Sequence, residues 1–189
     1  MIVSNRHRGE RGQSTVEFGV AAVVLILLVF GLIDLGRAFY FAVALAGATR
    51  EGARQASWFD AGTRTNPYLS DAAIQASVDG ILSHSGLPPS VLQNPITTCP
   101  ATSDGNSLFN PPYSSAIYPT TLNQPLLFIC YGNSPGTDFA SPPSDNSYKG
   151  TDVNVIIVMS FGLTSGFLAD SVGSSIHLVS NTHMTVGGF

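Results

Sequence analysis

The 189-residue sequence predicts an α+β fold, in which a long N-terminal transmembrane and spine helix carries a small antiparallel sheet packed on its outer half. Three observations predict it. Residues 18–33, FGVAAVVLILLVFGLI, form an apolar run with no charge inside it. Residues 152–161, DVNVIIVMSF, put Val153, Val155, Ile157, Met159 and Phe161 on one face at period two, the pattern of a strand. A further strand is expected over 174–186, with Ile176, Leu178, Met184 and Val186 on one face. The link GLTSGFLADSVG between the two has room for a short helical turn and fits an antiparallel pair.

The helix is justified first. Sixteen residues at 1.5 Å rise reach about 24 Å, short of a hydrocarbon core of about 30 Å. The apolar character continues as LGRAFYFAVALAGA to Ala48, interrupted by Arg37. Asp34 and Arg37 are three apart, so they can pair on one helix face, and Arg37 can snorkel. One continuous helix is therefore expected over 14–57, its first half in lipid and its second half emerging. Ala44, Ala48, Gly52 and Ala56 recur every four residues and form a small-residue stripe, which lets another backbone approach closely. The stripe fits packing against the chain's own domain, and it fits packing against copies or a partner. Arg50, Glu51 and Arg54 add weak surface pairs.

Charge supplies the topology. Residues 1–64 hold seven of the eight basic residues and five acidic ones, a balance of +2. Residues 65–189 hold Lys149 against seven Asp, a balance of −6. An acidic domain with a single Lys excludes nucleic acid as the expected partner, because that partner needs a basic footprint. Arg6, Arg8 and Arg11 precede the apolar run, which favours a cytoplasmic N-terminus and an extracytoplasmic C-terminal domain. A removable secretory signal fits poorly, since AVA and AGA lie beyond Asp34 and Arg37. The expected division is a basic leader over 1–12, the helix over 13–57 and an extracytoplasmic domain over 58–189.

That domain begins with a second helix over 66–85. Asn66 suits its cap, Pro67 its first position and Asp71 its first turn. Ile74, Val78, Ile81 and Leu82 give it an apolar stripe, and GLPP stops it. Residues 86–148 hold eleven of the twelve prolines and form a loop-rich insert. Within it LLFICY, 126–131, reads as a buried strand. Phe109, Tyr113, Tyr118, Phe139 and Tyr148 read as local packing or as a contact surface. Cys99 and Cys130 read as a disulfide if the domain is exported, and as two buried thiols otherwise. A bridge would tie the insert down.

Glu17 remains to be explained. A carboxylate at the mouth of an apolar helix is costly near lipid. It stands fifth after Gly12, which ends a basic leader, and an apolar helix follows. That arrangement resembles type IV prepilin-like substrates. The finer set resembles the TadE-like family of pseudopilins of tight-adherence (Tad, or Flp) pilus systems: Gly12, Val16-Glu17-Phe18, Gly31, Asp34, Gly36-Arg37 and REGAR at 50–54. The resemblance covers residues 12–57. It implies a pseudopilin-like architecture and a chain cut by a prepilin peptidase between Gly12 and Gln13. It also implies partners among other pilins or pseudopilins, the Tad inner-membrane assembly platform and inner-membrane lipid. After the cut, Gln13 carries a new α-amino group with a pKa of about 7.7–8.0. Glu17, with Phe18 beside it, would meet that ammonium on a neighbouring helix, and two charges costly alone become tolerable as a pair. A plain interfacial carboxylate is the other reading of Glu17.

No enzyme is expected. His177 and His183 share a strand face but lie about 20 Å apart, too far for one metal ion. His84 ends a helix, and His7 belongs to the leader. There is no CxxC, P-loop or HExxH, so no metal, cofactor or catalytic set is expected. The rival functional class is a membrane-anchored extracytoplasmic binding protein whose 86–148 insert takes a ligand or partner. The two diverge at Gly12 and Glu17, which an anchor does not need.

Overall fold

The computed structural model describes residues 10–58, 70–93, 99–100, 111–131, 134–135, 150–165 and 173–187. Helix α1 spans Glu10–Ser57 without a break, 48 residues or about 72 Å. It begins four residues earlier than the sequence suggests. From Val16 to Leu35 almost every side chain on it is exposed, and the large ones are Val, Leu, Ile and Phe on all sides. A helix that is apolar all round is not a stable surface element in water. Among the described residues, α1 is the helix long and apolar enough to cross a membrane.

The outer half of α1 is the spine of the domain. Helix α2, Asp71–His84, lies against it. Its cap is Ser70, whose Oγ accepts from the Ala73 N–H at 3.5 Å. Asn66 and Pro67, the expected start, fall outside the described residues. Asp71 stands in the first turn as expected. The helix stops where Gly86 turns left-handed at φ 74°, which lets the Leu87 N–H reach back to the Leu82 carbonyl. Ile74, Val78 and Leu82 are buried, and Ile81 is the exposed member of the expected stripe.

The sheet has a main path β1-β2-β4-β5, with β3 appended to β2. The strands are β1 (Val91–Leu92), β2 (Leu126–Tyr131), β3 (Ser134–Pro135), β4 (Asp152–Gly162) and β5 (Ser175–Thr185). β2 and β4 pair antiparallel, as do β4 and β5, with Asp152 opposite Thr185 and Gly162 opposite Ser175. The sheet is not wholly antiparallel, because β1 runs parallel to β2. Two α2 side chains hold β1 there: Asp79 accepts the Ser90 N–H at 2.7 Å, and Gln75 donates to the Ser90 carbonyl at 2.9 Å.

Both faces of the sheet are covered. Val153, Val155, Ile157, Met159 and Phe161 face the helices together with Leu127 and Ile129. Ile156, Val158, Phe128 and Cys130 form a second cluster on the outer face, where Tyr113 packs with Ile117 and Tyr118. These insert residues turn the outer face of the sheet into core. Phe109, Phe139, Tyr148 and residues 166–172 of the link in which a short helical turn is expected lie outside the described residues.

Candidate functional site: the N-terminal helix segment

The residues singled out in the sequence fall at three levels along the molecule. At the first level, Gly12, Gln13, Glu17 and Phe18 stand on exposed turns of α1. A Cβ added at Gly12 would meet nothing within 4 Å, so the fold itself does not require glycine there. In a helix interior, glycine costs about 1 kcal/mol relative to alanine. Gln13 Nε2 donates to Glu17 Oε1 at 3.0 Å, one turn away. Phe18 is 74 % exposed.

The second level is Asp34, seventeen residues or about 26 Å beyond Glu17. The expected pair with Arg37 is present, Nη1 to Oδ1 at 3.3 Å. The larger part of the Asp34 environment comes from the segment after β4. Oδ1 accepts the Thr164 N–H at 3.1 Å, and Oδ2 accepts the Ser165 N–H at 3.0 Å and the Ser165 hydroxyl at 2.5 Å. Asp34 is 2 % exposed. Arg37 also donates to Thr164 Oγ1, and its guanidinium sits 5.2 Å above the Phe161 ring. The signal for this clamp in the sequence is faint: a Thr-Ser pair just after the strongest strand.

The third level is the small-residue stripe. Ala44, Ala48 and Ala56 are buried. A Cβ at Gly52 would approach Val78 Cγ2 to 2.7 Å and Val155 Cγ1 to 3.1 Å. The stripe is therefore filled by α2 and β4 of the same chain. Thr49 adds a hydroxyl contact with Ser180 at 2.9 Å and accepts from Thr182 at 3.1 Å. Arg54 pairs with Glu51 at 2.5 Å on the exposed side.

Cys99 and Cys130 lie together, with Sγ atoms 2.09 Å apart and Cα atoms 6.1 Å apart. They join the insert to β2 beside the outer cluster. Burial pushes the Tyr113 phenol above its usual pKa, helped by the neighbouring Tyr118 and opposed by a hydrogen bond with Asn181. Burial raises Tyr118 as well. Tyr118 stacks on His177 with ring centroids 3.9 Å apart. Among the described residues, no group of three or more His, Cys, Asp and Glu side chains could hold a metal ion.

No curated protein and no solved structure matches the chain. The stretch that does match a known family contains the exposed turn of Gly12 to Phe18 and the Asp34–Arg37 pair: residues 12–54 fit the family described as TadE-like protein, the one the sequence resembles.

Proposed function

We propose that this chain is a minor pseudopilin or pilus assembly protein of a Tad (Flp) type IV-like pilus. It sits in a bacterial inner membrane by α1, with its N-terminus cytoplasmic and its α+β domain outside. A prepilin peptidase cuts it between Gly12 and Gln13. The mature chain then works in pilus biogenesis and surface attachment, alongside other pilins or pseudopilins and the Tad assembly platform.

The observation that carries this reading is the extent of the family match, which starts at Gly12 and runs through Glu17. Three features support it. Gly12 has open space around it, so a requirement for glycine there comes from something other than this fold. Glu17 is exposed, with a Gln13 side chain as its hydrogen-bond partner, and is open to a neighbour's ammonium. The described part of the insert covers the outer face of the sheet, which gives those residues a packing role.

The test is complementation of a deletion strain of the native host. Glu17→Gln is expected to reach the membrane at the normal level but to leave cells without Flp-type filaments by electron microscopy. Normal filaments with Glu17→Gln would contradict the assembly role.

A further inference from the structure

The levels of the domain against α1 can be fixed from its contacts. Thr49 meets Ser180, and eight helix residues later Ser57 meets Met184, four strand residues on. Eight helical rises and four strand rises both advance about 12–13 Å. Helix α1 and strand β5 therefore run side by side in the same sense. Five residues back from Ser180, the start of β5 at Ser175 falls level with about Ala38 of α1. Gly162 pairs with Ser175, and a Cβ there would touch Leu122 at 3.0 Å, so Leu122 lies at this level too.

Four large apolar side chains at this level are exposed: Phe39 at 72 %, Leu122 at 47 %, Ile176 at 37 %, and Tyr40. They point in different directions. Ile176 lies opposite Phe161, on the face of the sheet toward α1. Leu122 lies on the other face, since Gly162 follows Phe161 and faces the opposite way. Phe41 packs against Phe161, so Phe39, two residues away, projects from the far side of the helix. A protein partner approaching from one side would cover one of these groups. A medium that surrounds the molecule touches them all.

The length of the apolar run points to the same place. Residues 18–33 span about 24 Å, and a core of about 30 Å needs roughly four residues more, to about Arg37. Asp34 and Arg37 then lie inside the hydrocarbon boundary, where an uncompensated charge is expensive. Asp34 is compensated, by Arg37 and by three hydrogen bonds from Thr164 and Ser165. The clamp lets the helix sink past its first charges and carries residues 163–165 down with it.

We infer that the end of the domain nearest the membrane is seated in the bilayer interface, with Phe39, Tyr40, Leu122 and Ile176 forming a ring in contact with lipid headgroups and upper acyl chains. The inference rests on the reading that α1 spans a membrane. The domain is then held at a fixed height and tilt, not swung on a flexible stalk.

The test uses the full chain, with the Cys99–Cys130 bridge intact, in nanodiscs of phosphatidylethanolamine and phosphatidylglycerol. Single cysteines replace Leu122, Ile176, Val24 or Thr185, and each carries an environment-sensitive fluorophore. Val24 reports the span, and Thr185 the far end of the domain. Lipids spin-labelled near the headgroup are expected to quench the labels at Leu122→Cys and Ile176→Cys strongly. Lipids labelled deep in the chain should quench Val24→Cys, and neither should reach Thr185→Cys. Quenching at Val24→Cys with none at Leu122→Cys or Ile176→Cys, or at only one of them, overturns the ring while leaving the span intact. Labels at both ring positions that are shielded from aqueous iodide yet not quenched by lipid also overturn it, by showing a protein cover. Loss of quenching at Val24→Cys as well overturns the membrane reading itself.

Discussion

Asp34 and Ser165 are joined by two hydrogen bonds across 131 residues of chain, one from the Ser165 backbone N–H and one from its hydroxyl, both to Oδ2. Asp34 lies where the apolar run of α1 ends, and Ser165 closely follows β4. The pair fastens the sheet to the helix at the point where the helix leaves its apolar segment. A buried carboxylate is retained at such a place only when its oxygens accept hydrogen bonds from donors and its charge is paired. Thr164, Ser165 and Arg37 supply both.

Replacing Asp34 with Ala removes the acceptor and leaves the Thr164 and Ser165 N–H groups and Arg37 without it. The cost is expected to be about 1–3 kcal/mol, the scale of hydrogen bonds lost to a charged acceptor. Thermal unfolding in detergent, followed by circular dichroism, should show a clearly lower midpoint. Limited proteolysis should find new cutting near Thr164. An unchanged midpoint would show that the clamp contributes little to holding the domain.

Two glycines on the same helix should respond in opposite ways. Gly52→Ala drives a methyl into Val78 and Val155, an overpacking expected to destabilise by about 1–3 kcal/mol. Gly12→Ala meets open space and should leave stability unchanged or raise it by up to about 1 kcal/mol. Denaturant midpoints of the two variants, measured side by side, check this contrast.

What the sequence reveals about this fold is what is local. The sixteen-residue apolar run and the alternation of Val153, Val155, Ile157, Met159 and Phe161 identify α1 and the helix-facing side of β4 because each pattern lies within one element. The burial of Asn154, Ile156, Val158 and Ser160 is not visible there. It depends on Tyr113, Ile117 and Tyr118, which a loop-rich insert brings over the outer face from some forty residues away. The parallel strand β1 is two residues long and follows from Asp79 and Gln75 holding Ser90, so no periodicity announces it. The small-residue stripe is plain in the sequence, but whether Ala44 to Ala56 meets its own domain or another chain is a question of long-range packing. In the candidate site, Gly12 and Glu17 are legible because they stand five residues apart along one stretch of chain. The role of Asp34 is not, since its partners lie 130 residues later.

The Cys99–Cys130 bridge closes a loop with a sequence separation of 31. Reduction, or Cys130→Ser paired with Cys99→Ser, should cost about 3 kcal/mol by relaxing that constraint. The expected result is a lower unfolding midpoint under dithiothreitol in the parent chain and no response to dithiothreitol in the double variant. Equal midpoints with and without reductant would contradict a stabilising bridge.

Tyr113 gives the domain a limit in alkali. Its folded-state pKa lies above its unfolded value of about 10, because the phenolate is disfavoured by burial beside Tyr118. Its contribution is therefore fully present below about pH 10 and is lost as the pH rises through the folded-state value. Urea midpoints should be level up to about pH 9.5 and fall by about pH 11, and Tyr113→Phe should make that fall shallower. A fall of the same steepness in the variant would place the alkaline limit elsewhere.

The proposed roles of Gly12 in processing and Glu17 in assembly turn on the N-terminus of the mature protein. The chain would be purified from membranes of the native host and its N-terminal sequence and intact mass determined, for the parent and for Gly12→Ala. The expected result is a chain beginning at Gln13 in the parent and an uncut chain in the variant. A chain beginning at Met1 in both would contradict it, reducing α1 to an anchor and leaving Glu17 without the ammonium it is proposed to meet.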